Sequence, residues 1–108
     1  MDTIFVHKGV ECHFSPAVNA LLETDECKAD FVDNFFKHEP INSIKWVTIK
    51  ELEEARVIDR NAALPMYSIQ NDEGDTLLIW PMLNNADLFL YIESLVDRPD
   101  MVNELNLG

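Results

Sequence analysis

Apolar positions recur along this chain with two different periods, and each period marks an element. Val10, Cys12 and Phe14 alternate with Glu11 and His13, the period of two expected of a half-buried strand. Ile4–Val6 precedes them across His7-Lys8-Gly9, so the start of the chain reads as two short strands. Ser15-Pro16 supplies an N-cap and a first-turn proline for a short helix with Ala17, Val18, Leu21 and Leu22 inward. From Thr24 the period lengthens: Cys27, Phe31, Val32, Phe35 and Phe36 recur at helical spacing and form the expected buried stripe. Asp25 and Glu26 in its first turn, with Lys37 and His38 in its last, match the helix macrodipole.

Ile44–Ile49 is rich in β-branched and aromatic residues and reads as a strand. Thr48 and Glu51 make a capping box, which predicts a helix over about Ile49–Ala55. Met66–Gln70 and Thr76–Trp80 flank the polar loop Asn71-Asp72-Glu73-Gly74-Asp75, a β-hairpin signal. Leu77–Trp80 is apolar at every position, as in a central strand covered on both faces. Asn84 or Asn85 then reads as the cap of a last helix, with Leu88, Ile92 and Leu95 inward, ending before Arg98-Pro99. Residues 99–108 add at most a weak turn or a frayed tail. This order predicts a single α+β domain over residues 1–108: an antiparallel or mixed sheet of about five short strands, with three to four helices packed on it.

Charge changes the picture most. The chain carries 20 acidic and 8 basic side chains, a net of -12 in 108 residues. That is beyond the magnitude of roughly 2–8 that keeps a small domain soluble. The excess is evenly spread: 11 acids against 5 bases in residues 1–54 and 9 against 3 in residues 55–108, a net of -6 in each half. An acidic tail on a neutral domain is therefore excluded. A field of this sign steers cationic partners inward and repels nucleic acid and anionic lipid. The densest acidic groups are Glu26, Asp30 and Asp33 on one face of the second helix, Glu51, Glu53 and Glu54 on the third, and Asp72, Glu73 and Asp75 in the hairpin loop.

The remaining candidates are weaker. Cys12-His13, with Cys27, His7 and His38, invites a nucleophile or metal reading, but adjacent strand residues point to opposite faces. No closely spaced pair of zinc ligands occurs, and the acids of residues 72–75 lack the spacing of a Ca²⁺ loop. Phosphate-binding and hydrolase motifs are absent, so no catalytic residue, metal or cofactor is assigned. No signal-peptide pattern or membrane-length apolar run is visible, and two cysteines permit at most one disulfide, so a cytoplasmic protein with reduced thiols is expected. Trp46 and Trp80 are expected in the core, with an exposed one as a possible binding platform.

These features favour a non-enzymatic protein that occludes a basic protein partner, such as an immunity protein or antitoxin-like inhibitor of a nuclease toxin. Glu26, Asp30, Asp33, Asp72, Glu73 and Asp75 are the candidate contacts. The alternatives are a nucleic-acid mimic of the anti-restriction or anti-CRISPR type, and an adaptor domain that binds through an apolar patch. The acids sit in separate clusters with Lys28, Lys37, Lys45 and Lys50 interspersed, which suits a local plug better than an extended duplex mimic.

Overall fold

A computed structural model describes residues 3–58, 65 and 67–97 of the chain. Strands β1 (Thr3–His7) and β2 (Val10–Phe14) form an antiparallel hairpin around Lys8-Gly9. Both loop residues have positive φ, 51° and 82°, the mirror-image turn whose twist matches the flanking strands. Helix α1 (Pro16–Leu21) starts as the residues dictate: Pro16 occupies the first turn and the Ser15 hydroxyl accepts the Val18 N–H at 3.4 Å. Helix α2 (Asp25–His38) is capped by Thr24, whose hydroxyl accepts the Cys27 N–H at 3.1 Å. The capping box closes reciprocally at the next helix. The Thr48 N–H donates to Glu51 at 2.8 Å and the Glu51 N–H donates to the Thr48 hydroxyl at 3.1 Å, opening α3 (Ile49–Ile58).

Three expectations are corrected. The predicted strand over Ile44–Ile49 shrinks to β3, Val47–Thr48, after a single 3₁₀ turn at Ile41–Ser43. Ile44 is still buried, but as an irregular residue anchored in the core. The strand beginning at Thr76 does not stop at Trp80. Strand β5 runs through Pro81 to Asn84 and pairs with β4 (Tyr67–Gln70) to make the expected hairpin. Finally, the expected last helix is strand β6 (Asp87–Ser94), and only Leu95–Asp97 form a helical turn, of 3₁₀ type. Asn85 does not cap a helix. It has φ 58° and turns the chain between the paired residues Asn84 and Asp87. The predicted tail, residues 99–108, lies outside the described residues, as does Met66.

The result is an α+β domain with a mixed sheet of six short strands and three helices among the described residues. Strand order is β1-β2-β6-β5, and β5's far edge carries β4 beside Thr76–Ile79 and β3 beside Met82–Leu83. β6 therefore lies between β2, with which it is parallel, and β5, with which it is antiparallel. The sheet separates two apolar clusters. On one face Val10, Cys12, Phe14, Leu77, Ile79, Leu90 and Ile92 pack under Val18 of α1 and Val32 and Phe35 of α2. On the other, Leu78, Trp80, Met82 and Phe89 are joined by Ile49 and Leu52 of α3.

Pro81 shows how local chemistry fits this topology. A proline removes a ladder donor and is rare inside a sheet. The two-residue turn closes β5 and β6 on the pair Asn84–Asp87, so alternate residues Met82 and Trp80 exchange bonds with β6 and Pro81 turns its nitrogen away from it. On that outward side Pro81 falls between the end of β4's pairing at Ile79 and the start of β3's at Met82. No ladder bond is lost.

Candidate functional site

Helix α2 presents its buried stripe to the sheet through Val32 and Phe35, with Phe31 and Phe36 partly covered beside them. At 100° per residue, Glu26, Asp30, Asp33 and Lys37 then share a sector of about 60° on the opposite side, over a rise of about 16 Å. All four are exposed. Within that span the only other base is Lys28, and it has left the surface. Its side chain is 4% exposed, the ammonium donates to the Leu22 carbonyl at 2.5 Å and it lies 5.9 Å from the centroid of the Phe14 ring. A long aliphatic stem buried along apolar surface is a stable place for lysine once its head finds an acceptor. Of the two bases within the span, Lys37 stays on the ridge and Lys28 is part of the foundation beneath it. Cys27 is also corrected: it is exposed, not part of the buried stripe.

The three ridge acids are not equivalent. Asp33 accepts from Lys8 at 2.9 Å and sits 2.8 Å from His7 Nε2, joining α2 to the β1–β2 hairpin. These hydrogen bonds, His7's first and Lys8's second, hold the Asp33 carboxyl below its ordinary value. Glu26 and Asp30 form no ion pair with a described residue. A depressed folded-state value contributes stability above the unfolded value, near 3.9, that is lost as pH falls through the folded one. Asp33→Asn is therefore expected to lower the urea midpoint at pH 7, with the gap from the unaltered protein closing below about pH 4. A gap that persisted unchanged at pH 2.5 would mean that the carboxylate charge is not what Asp33 contributes.

The hairpin loop divides in the same way. Asn71 organises it: its side-chain oxygen accepts the N–H groups of Glu73 at 3.0 Å and Asp75 at 2.8 Å, and its amide donates to the Asp75 carboxylate at 3.2 Å. Gly74 takes φ 87°, the left-handed conformation the turn requires. Asp75 is thus held by the loop's own hydrogen bonds, while Asp72 and Glu73 are exposed. The organising role of Asn71 was not assigned from sequence, although an asparagine opening a loop is the expected type for it.

Asp33 and the hairpin loop lie at opposite ends of the sheet. β2 and β6 run parallel and β5 runs against them, so the β4–β5 loop lies at the end of the sheet where β2 and β6 finish. Asp33 is tied to the β1–β2 turn, at the end where β2 begins. Glu51 is bound into its capping box, with the Thr48 backbone N–H and then its hydroxyl lowering the carboxyl's pKa, while Glu53 and Glu54 are exposed. An open cleft of about 460 Å³ lies where α3's start meets the β5–β6 turn, beside Lys50, Glu53 and Asn84, and joins neither group.

Cys12 and His13 point to opposite faces, as strand geometry requires. Cys12 is fully buried in the core, where burial pushes its thiol up to about 12. His13 lies across the sheet, 3.3 Å from Glu11 and with its ring 5.0 Å from that of Phe89. Among the described residues no three His, Cys, Asp or Glu side chains are grouped to hold a metal. An aromatic disulfide reagent at neutral pH is expected to modify one thiol, Cys27, in the folded protein and the second only on unfolding. Rapid modification of both would contradict the burial of Cys12.

Trp80 is fully buried and Trp46 half-buried, so Trp80 is no surface platform. Among the described residues the exposed large apolar side chains are Ile4, Val6, Ile41 and Val96, of which Ile4 and Val6 lie on the same face of β1. Among the described residues no helix is long and apolar enough to cross a membrane. No family model, curated protein or solved structure matches this chain.

Proposed function

We propose that this protein binds and occludes a basic protein partner, as an inhibitor of the immunity type does, with the exposed face of α2 as its principal contact. The observation that carries this reading is the treatment of charge on α2. Glu26 and Asp30 stand exposed on a helix fixed by its packing, with Lys37 at the far end of the same ridge, while Lys28 is turned into the core on the opposite side of the helix. Carboxylates held on a rigid element lose little freedom on meeting a cationic surface, and their combined field accelerates the encounter. Occlusion needs no reacting groups from the inhibitor. Asp33 lies at the opposite end of the sheet from the hairpin loop, which favours separate local contacts over a continuous imitation of a nucleic-acid backbone.

The contact set narrows from six residues to four. Asp33 and Asp75 serve internal structure, so Glu26, Asp30, Asp72 and Glu73 remain as free contact groups. The test is association kinetics with a basic protein recovered by capture at low salt, comparing the unaltered protein with a variant carrying lysine at all four positions. A steep loss of association rate supports the reading. Equal rates at every ionic strength would overturn it, since a partner bound through apolar contacts is indifferent to these charges.

A further inference from the structure

Between the last turns of α2 and strand β4 lies a cleft of about 370 Å³. Clefts of roughly 300–1,000 Å³ are the usual size of small-ligand sites. Its floor is apolar. The buried Phe35 ring meets Tyr67 edge to face, with centroids 5.4 Å apart at 78°, and Ile69 lies beside them on the same face of β4. Its rim is polar, with Asn34 and His38 from α2 and Glu39 just past the helix end. None of these three side chains, nor the Tyr67 hydroxyl, bonds to another described residue. Asp33, Glu51 and Asp75 differ in this respect, since internal hydrogen bonds hold each of them.

The electrostatics of the cleft favour a cation. Glu39 borders it, and α2 ends there, which brings the negative end of the helix dipole. No lysine or arginine lines it, Lys37 included, and His38 is the one lining side chain able to carry positive charge. The open side of β4 adds acceptors. The Asn71 N–H donates to the Asp75 carbonyl at 2.9 Å, so Ile69 and Tyr67 bond to β5 in turn. Ser68 and Gln70, which also line the cleft, therefore direct their backbone carbonyls away from β5. The cleft is continuous with the exposed acids of the helix. Glu26, Asp30, Asn34 and His38 follow one another at i+4, each about 6 Å along α2 and 40° round it from the last. A surface that meets Glu26 and Asp30 has the cleft one or two turns farther along the same row.

We propose that this cleft receives an arginine side chain of the basic partner. The proposal rests on the basic-partner reading above and names the residue type that anchors that partner. The aliphatic stem would lie along Ile69, and the planar guanidinium over the Phe35 and Tyr67 rings. Its five donors would meet Glu39, the Asn34 amide oxygen and the outward carbonyls of β4. A lysine ammonium is a compact charge with three donors and uses this spread of acceptors less fully. A neutral apolar anchor would cover the same polar groups without offering them any donor, which costs binding energy.

The test titrates the intact protein, at pH 8 and low salt, with end-blocked pentapeptides in which one arginine, lysine or citrulline is flanked by glycines. Amide chemical shifts report the site. The arginine peptide is expected to shift the Phe35, Glu39, Tyr67 and Ile69 amides and to bind about tenfold more tightly than the uncharged citrulline peptide, a difference of about 1.4 kcal/mol. Glu39→Gln should remove most of that preference. Asn34→Trp, at an exposed helix position, leaves the net charge unchanged and should fill the cleft and abolish these shifts. Equal binding of the citrulline or the lysine peptide would overturn the arginine assignment. Shifts confined to Glu26 and Asp30, and indifferent to Asn34→Trp, would overturn the cleft and leave the electrostatic reading standing. Arginine binding in the cleft, together with unchanged partner association in the charge-reversed variant, would support the cleft and remove the acidic contacts. Failure of both cationic peptides to bind anywhere on α2 would remove both.

Discussion

Trp80→Ala is expected to lower the free energy of unfolding by about 3–5 kcal/mol, seen as a large fall in the urea midpoint with little change in slope. The indole is fully buried in the middle of β5, its ring centroid 5.9 Å from that of Tyr91 across the ladder to β6. Around it Leu78, Met82 and Phe89 form the smaller of the two cores, closed by the start of α3. Strand backbones cannot collapse into the vacated space without breaking the ladder, so the cavity remains and its cost adds to the lost transfer energy. Set against a typical domain stability of about 5–15 kcal/mol, this removes a fifth of the margin or more. Ile4→Ala, at an exposed position, should change stability by about 0.5 kcal/mol or less. Similar effects at the two positions would mean that the second face of the sheet is not a packed core.

The second large effect is kinetic. Replacing Glu26, Asp30, Asp72 and Glu73 by lysine changes the net charge by +8, from -12 to -4. Electrostatic steering raises association rates by roughly 10–10³-fold, so the quadruple variant should lose a comparable factor at low salt. Its disadvantage should shrink as the screening length falls from about 30 Å at 0.01 M to about 8 Å at 0.15 M. Because these residues are exposed, folding is expected to survive. Only Glu26→Lys carries a further penalty of about 0.3–1 kcal/mol, for placing a cation at the helix N-terminus. A rate within twofold of the unaltered protein at low salt would sink the electrostatic reading.

An element of this fold is legible in the sequence where its signal is local. The β1–β2 hairpin, the helix starts at Ser15, Thr24 and Thr48, and the β4–β5 hairpin follow from caps and turns that act within a few residues, and they form where expected. β6 was hidden because its burial comes from elsewhere in the chain. Leu88, Phe89, Leu90, Tyr91 and Ile92 are apolar without alternation, since both faces of a central strand are covered. Leu88, Ile92 and Leu95 then mimic a helical stripe, and Asn85 looks like a cap while serving as a left-handed turn residue. The extension of β5 through Pro81 is equally non-local: a proline fits inside a strand only where its nitrogen faces a gap between two neighbours, which only the whole sheet reveals. The ridge of Glu26, Asp30 and Asp33 was readable from spacing alone. The burial of Lys28 and the tie from Asp33 to His7 and Lys8 were not, because both depend on how α2 meets residues outside itself.

The central place of β6 has a consequence for how the molecule comes into being. Synthesis proceeds from β1 toward β6, yet β6 is the strand that β2 and β5 share. Until residues 87–94 leave the ribosome, the first hairpin and the β4–β5 hairpin have no strand to join them. Closure of the sheet then depends on the parallel pairing of Glu11–Phe14 with Phe89–Ile92, the kind of long-range contact that forms slowly. The nascent chain therefore holds its apolar strands uncovered until almost all of the described sequence has been made. During that interval, its own negative charge is a built-in safeguard against association with its neighbours on the same messenger.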